Sequence, residues 1–364
     1  MAAAGWEVVL IGIKDDETSE FESREGYVVR RVTLSSRRLP RGFGLKFIRF
    51  AEAIVRTFSA ALRERADVYN SRDAYPLLVC WMAARLRGAK LVYDSDELNL
   101  DRNWSVSSNQ WWRGAMKRYE GALARRSSLV ITSDFGRAEV LSERYGVHPV
   151  VVRNVPDLVE SLDPDQEFRA RALGDRRYLL IYQGILVPNR GLSELVEAMR
   201  ELPDCRLAIV GYGQLAEPLR DQVMRDGMSN AVELFDPVPY EVLARYTAAA
   251  DVGLIPIHGT CLSYALAAPN KLFEYMMAGI PIVASDLPEM AAVIRAEQIG
   301  TLIVDPSDPA SIADAVKRLL YGEVSPAEIG ARARRAALDR YNWGIEQHKL
   351  LDAYRTLELA ASGL

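Results

Sequence analysis

Short apolar runs alternate with stretches of helical periodicity along nearly the whole chain, and this alternation limits the fold more than any other feature. Glu7–Ile13, Gly26–Val32, Ala66–Asn70, Ala89–Tyr93, Ser127–Thr132 and Val150–Arg153 each read as a strand. Among them, Phe43–Arg65 and Pro76–Arg87 carry apolar residues at helical spacing. A second series opens at Arg177–Tyr182 and continues with strands at Arg206–Val210, Ala231–Phe235, Val252–Pro256 and Pro281–Ser285. Helices are predicted between and after these strands, over Leu192–Leu202, Ala216–Arg225, Glu241–Ala250, Asn270–Ala278 and Ser311–Tyr321. Strands that alternate with helices pair in parallel and are covered on both faces. The expectation is an α/β chain of two doubly wound, Rossmann-like domains.

Asn154–Asp157 and the polar stretch to Asp175 mark a hinge between the series. The predicted domains are residues 1–157 and 158–340, followed by a C-terminal helical segment, 341–364. This last part belongs to a charged helical stretch, Pro326–Ala361, broken near Tyr341–Gly344. A doubly wound domain opens on a strand that feeds its first helix. Here Met1-Ala-Ala-Ala-Gly5 reads as the end of a helix running into the strand at Glu7, so a first strand and helix are expected to be missing.

Composition narrows the function classes. A 364-residue chain with 49% hydrophobic and 26% charged residues is sized for two globular domains. No apolar run approaches the ~20 residues of a membrane span. The start predicts no signal peptide. The three cysteines (Cys80, Cys205, Cys261) are scattered among apolar neighbours, which predicts reduced thiols and a cytoplasmic protein. His148, His258 and His348 are dispersed, so no metal site is expected. With 45 basic against 49 acidic residues, no nucleic-acid partner is expected either.

The segment richest in chemistry is Ala268–Ser285. Pro269 stands where a helix begins, so the amides of Asn270, Lys271 and Leu272 are expected to point out of its N-terminus as an anion site, strengthened by the Lys271 ammonium. Glu274 follows one turn on, placed to accept hydrogen bonds from two hydroxyls such as those of a ribose. The same residues also read as ordinary solvated positions of a helix.

In combination these pieces resemble the retaining glycosyltransferases of family 4, which have the GT-B fold of two facing Rossmann-like domains. The resemblance runs through Val92–Glu97, Tyr182-Gln-Gly184 with Arg190-Gly191, Ile209–Gly213, Ala250-Asp251, Pro269–Glu274 and Gly300–Asp305. It implies that the C-terminal domain binds a nucleotide sugar, with no cofactor and no metal beyond that co-substrate. Gly184, Arg190, Gly191, Gly211, Gly213, Asn270, Lys271, Leu272 and Glu274 are the implied donor-binding residues. Arg190 matches the basic position of the family's lysine-glycine pair, and Glu274 matches the second, ribose-binding glutamate of its Glu-x7-Glu pattern. The chain departs from the pattern twice: Ile185 stands where an arginine often follows the strand glycine, and Leu266 stands where the first glutamate belongs. Asp96 and Glu97, after a buried strand, are the catalytic candidates, orienting an acceptor hydroxyl or acting as base; similar proteins often have histidine where Asp96 stands. As helix-capping acids they would need no such role. The acceptor is a glycan, a lipid-linked sugar or a small molecule.

Three rivals draw on the same residues. Asp94-Ser-Asp96 is an Asp-x-Asp that in a GT-A transferase would hold a divalent cation. Gly211-Tyr-Gly213 with Ala216 and Glu233 mimics a dinucleotide fingerprint and would make a nicotinamide enzyme. The missing glutamate at Leu266 fits a non-catalytic sugar-nucleotide binder or partner subunit. Finally, the arginines from Arg24 to Arg65 (Arg30, Arg31, Arg37, Arg38, Arg41, Arg49 and Arg56 among them), with Lys46 and with Trp104, Trp111 and Trp112 in a loop, suit peripheral contact with anionic lipid at the inner face of the membrane; a solvated helix face explains them equally.

Overall fold

The computed structural model describes residues 1–15, 18–38, 43–101 and 110–362. It divides into two compact units. The first comprises Met1–Leu100, the described residues from 110 to Val152 and the segment beginning at His348; the second is Arg153–Gln347. The division falls at Arg153 rather than after Asp157. The reason is local: the Arg153 amide donates to Glu346 Oε2 at 3.0 Å and the Trp343 amide to the Pro156 carbonyl at 2.8 Å, tying this stretch to the second unit.

In the first unit the elements run β1 (Val8–Ile13), β2 (Phe21–Arg24), β3 (Tyr27–Val32), α1 (Phe43–Arg63), β4 (Val68–Arg72), α2 (Leu77–Arg87), β5 (Lys90–Ser95), α3 (Gln110–Ala124), β6 (Leu129–Thr132), α4 (Phe135–Tyr145) and β7 (Val150–Val151). Strands β4-β5-β6-β7 form a parallel sheet in that order. A separate sheet has the order β1-β3-β2, with β1 parallel and β2 antiparallel to β3. The antiparallel edge departs from the all-parallel expectation. Phe21-Glu-Ser-Arg24 carries no apolar alternation because an edge strand stays polar: Glu22 pairs there with Arg24 and Arg31.

The second unit contains α5 (Gln166–Leu173), β8 (Tyr178–Ile185), α6 (Leu192–Ala198), β9 (Cys205–Tyr212), α7 (Ala216–Arg225), β10 (Val232–Phe235), α8 (Tyr240–Ala248), β11 (Val252–Ile255), α9 (Leu262–Ala265), α10 (Asn270–Ala278), β12 (Ile282–Ser285), α11 (Pro288–Glu297), β13 (Gly300–Ile303), α12 (Pro309–Leu320) and α13 (Pro326–Asp339); α14 (Trp343–Ser362) begins here and ends in the first unit. Its sheet is parallel throughout, in the order β10-β9-β8-β11-β12-β13. Alternation along β8 explains the layering. Leu179 and Ile181 pack with Phe273 of α10 and Ala333 of α13, while Leu180 and Tyr182 pack with Leu195 of α6 and Val316 of α12. All four β8 residues are fully out of water, so the strand reads as one apolar run. From β8 the chain winds outward to β9 and β10, then crosses to β11. The strand order therefore reverses between β8 and β11, and in such sheets ligands bind outside the strands' carboxyl ends at that point.

Candidate functional site

At that switch point the C-terminal ends of β8 and β11 face the N-terminus of α10. Pro269 caps α10 with φ −70° and ψ 149° and contributes no side-chain cap. The Leu272 amide donates to the Pro269 carbonyl at 2.9 Å, which leaves the amides of Asn270 and Lys271 without an acceptor among the described residues. Leu272 therefore departs from its predicted role: its amide is spent within the first turn and its side chain is buried in the core. An N-terminus with two open amides at the positive end of the helix dipole suits an anion.

Lys271 folds back from this turn, with Nζ 3.6 Å from the centroid of the Tyr182 ring. Gly184 lies beside it, where a Cβ would touch Nζ at an ordinary 3.4 Å, and its φ of +122° disfavours any side chain. Burial, and after it the positive charge of Arg190, pushes the Lys271 ammonium well below the ordinary lysine value, with Glu274 opposing. Arg190 lies 4.8 Å from the Tyr264 ring, between Asn189 (φ 65°) and Gly191 (φ 64°). Gly191 is sterically required, because a Cβ would sit 2.1 Å from the Pro256 carbonyl oxygen. Gly211 and Gly213 are tight for a related reason: their Cβ atoms would meet the carbonyl oxygens of Gly184 at 1.9 Å and Leu186 at 2.3 Å. Their glycine identity is explained by the packing of the two strand-end loops.

Glu274 does not face open water alone. Its Oε2 accepts from Gln183 Nε2 at 2.5 Å, and Gln183 Oε1 accepts from Thr247 Oγ1 at 2.5 Å. Burial raises the Glu274 pKa, against the Gln183 hydrogen bond and Lys271. Sequence reasoning missed Gln183 and Thr247. One signal was available: a glutamine inside an apolar strand must find partners when buried.

Asp96 and Glu97 belong to the first unit, just beyond β5. Asp96 Oδ2 pairs with Arg72 at 2.8 Å, and its carbonyl accepts from Ser133 at 3.3 Å and from Arg137. Burial and the neighbouring Asp96 hold Asp94 up at about 6. The surrounding fold is not GT-A. Among the described residues, no group of three or more His, Cys, Asp or Glu is placed to hold a metal. The dinucleotide reading also fails. Gly211 and Gly213 end the second strand of their unit rather than the first, and Glu233 is bound to Arg171 at 2.7 Å and Arg206 at 3.0 Å instead of facing a ribose.

Trp111 and Trp112 lie on α3, not in a loop, and both are exposed; Phe47, Ile48, Phe50 and Val55 are exposed on α1. Some of the arginine charge nearby is neutralised, Arg56 by Glu52 and Arg30 by Glu64, each at 2.7 Å. Trp104 and Arg41 lie outside the described residues, as do the side chains of Arg38 and Lys46. No helix among the described residues is long and apolar enough to cross a membrane.

Residues 177–321 match the family model "Glycosyl transferases group 1", and residues 1–157 the model "Glycosyl transferase 4-like domain". A GDP-mannose-dependent alpha-(1-6)-phosphatidylinositol monomannoside mannosyltransferase of Mycolicibacterium smegmatis is 31% identical over 198 residues, 52% of this chain and 51% of that protein. The chain thus spans about half the length of that relative. A D-inositol 3-phosphate glycosyltransferase of Acidothermus cellulolyticus is 29% identical over 327 residues, 84% of this chain and 70% of that one. Among solved structures, sucrose-phosphate synthase of Thermosynechococcus elongatus superposes with a TM-score of 0.80 at 21% identity, covering 99% of this chain and 91% of its own. With the first family model on the second unit and the other on the first, and with a parallel sheet that reverses beside Lys271 and Glu274, the chain belongs to the family 4, group 1 glycosyltransferases of GT-B fold.

Proposed function

We propose that the chain moves a hexose-type sugar from a nucleoside-diphosphate sugar to a hydroxyl of an inositol-containing or lipid-linked acceptor. The observation that carries the reading is the convergence of Arg190, the Lys271 ammonium, the two open amides of α10 and the Glu274 carboxylate at one switch point. In the reaction, the bond between the sugar's anomeric carbon and the diphosphate breaks and the acceptor oxygen takes its place. The departing diphosphate gains negative charge, and preorganised cations and amides at that position lower the barrier. Glu274 holds the ribose. Asp96 and Glu97 are assigned to the acceptor hydroxyl. Retention of configuration is supported by family membership alone. The acceptor class is supported by the names of the two relatives, and the exposed aromatic residues of α1 and α3 support contact with a lipid surface.

The test is transfer from radiolabelled GDP-mannose and UDP-glucose to phosphatidylinositol vesicles, to inositol 3-phosphate and to a lipid extract. Labelled product bearing the donor sugar is expected. Leu266, standing where the family has a carboxylate, favours one alternative, a non-catalytic binder. Donor binding with neither transfer nor donor hydrolysis would establish that alternative and end the enzymatic reading.

A further inference from the structure

Gln183 and Thr247 sit behind Glu274, at 2% and 1% exposure. They form a short polar chain inside an otherwise apolar layer. The Thr247 hydroxyl has one proton and two acceptors within reach, Gln183 Oε1 at 2.5 Å and the Leu243 carbonyl at 2.8 Å. If the proton goes to Gln183, the amide presents its NH2 to Glu274, a bond that the ionised carboxylate accepts more strongly than the acid. If the proton goes to Leu243, the hydroxyl oxygen accepts from the Gln183 NH2. The amide is then turned, and its oxygen faces a Glu274 that must carry a proton. A neutral acid can still accept the NH2 through its carbonyl oxygen, so the first arrangement favours the ionised form through the stronger, charge-assisted bond. The main-chain amide of Gln183, 3.3 Å from the Tyr275 hydroxyl, fixes the strand behind the relay.

We propose that Gln183 and Thr247 are positioning residues: the relay holds Glu274 ionised and aimed as an acceptor-only carboxylate for the two ribose hydroxyls of the donor. This rests on the ribose assignment made above. An ionised carboxylate keeps Gln183 on one oxygen while accepting two hydroxyl protons in charge-assisted bonds; a protonated one accepts them more weakly. Other groups facing Glu274 are few. Lys271 and the buried Tyr275 phenol share its helix, and the Tyr240 phenol lies at the start of α8, its own pKa raised to about 12 by burial and then by Glu274. Helix α13 meets α10 through Arg334, which is bound to the Met277 carbonyl, and neither β11 nor β12 carries a titratable side chain. Gln183 is therefore the neutral group that favours the ionised form, and its loss drives Glu274 toward protonation.

The experiment is calorimetric binding of GDP or UDP, whichever the full chain binds more tightly, beside the matching 2′,3′-dideoxynucleoside diphosphate, at a series of pH values. Gln183→Met is expected to weaken the ribonucleotide about tenfold, the value of one hydrogen bond to a charged group. The same substitution leaves the dideoxy analogue unchanged. The acid limb of ribonucleotide binding moves to higher pH. Thr247→Val shows the same signature in smaller size, and Thr247→Ser, which keeps the hydroxyl, restores wild-type behaviour. Should Gln183→Met fail to fold, the Thr247 pair reads the relay from its far end. Wild-type discrimination that disappears in Glu274→Gln but persists with an unmoved acid limb in Gln183→Met and Thr247→Val overturns the relay. Equal weakening of both ligands also overturns it, since that marks a general packing defect. No wild-type preference for the ribonucleotide overturns the ribose assignment instead, and the relay with it.

Discussion

Replacing Lys271 by alanine separates a phosphate-binding cation from a packed helix residue, and the size of the effect follows from where the ammonium rests. Over the Tyr182 ring at 3.6 Å it already has a partner, worth about 0.5–2 kcal/mol. A phosphate must draw the ammonium off that ring. A hydrogen bond to a charged group contributes about 1.5–3 kcal/mol, so the net loss in Lys271→Ala is about 1–2 kcal/mol, roughly fivefold to thirtyfold in Kd. The loss is graded by ligand: largest for a nucleoside diphosphate, smaller for the monophosphate and absent for the nucleoside. A pH signature accompanies it. Burial and Arg190 lower the pKa of Lys271, against Glu274, so the free site holds the ammonium less firmly than water does. A bound diphosphate favours the ammonium. At pH values between the free and the bound pKa of Lys271, binding takes up a proton and affinity rises as pH falls. Calorimetry in two buffers of different ionisation enthalpy measures that proton directly; alanine abolishes it. An unchanged Kd, or the same loss for nucleoside and diphosphate, refutes the assignment of Lys271 to phosphate.

Two further outcomes test the frame around the site. Gly191→Ala forces a side chain into φ 64° with its Cβ 2.1 Å from the Pro256 oxygen, so it should cost about 2–4 kcal/mol in urea unfolding and weaken nucleotide binding as the Arg190 loop shifts; wild-type stability would mean the loop relaxes freely. The pKa of Asp94 is raised from 3.8 to about 6, so the fold favours its protonated form between those values. Its contribution is complete below 3.8 and is lost as pH rises through 6, so Asp94→Asn should flatten that part of the stability profile. An unaltered profile would place Asp94 in water.

The alternating apolar runs were enough to place most strands of both series, because a sheet buried on both faces admits little else; β2, polar at its edge, and β13 were not among them. The helix starting at Asn270 was legible for a similarly local reason: proline ahead of it and Gly279 behind it punctuate the chain. Long-range partners were not legible. Nothing near Glu233 announces that Arg171 and Arg206, 62 and 27 residues away, take up its carboxylate. Nor does Asp251 announce that it anchors the start of β8, accepting from the Leu179 amide at 2.7 Å and pairing with Arg169 at 3.0 Å. Part of what makes the family pattern recognisable is therefore scaffold chemistry and not ligand chemistry.

The same distinction sorts the donor set. A motif records which residues recur together, but only geometry says whether each is there for the ligand or for the fold. In this chain Leu272 serves the core, Gly191, Gly211 and Gly213 are crowded by backbone atoms, and Asn270 and Lys271 stand where the helix opens. Gln183 reverses the case. It lies within a recognised stretch yet looked like filler, since a strand residue's partners come from other elements: Thr247 from α8 and Glu274 from α10. A buried amide bonded at both ends, to a hydroxyl and to a carboxylate, fixes the carboxylate's orientation, and in this unit that carboxylate is Glu274.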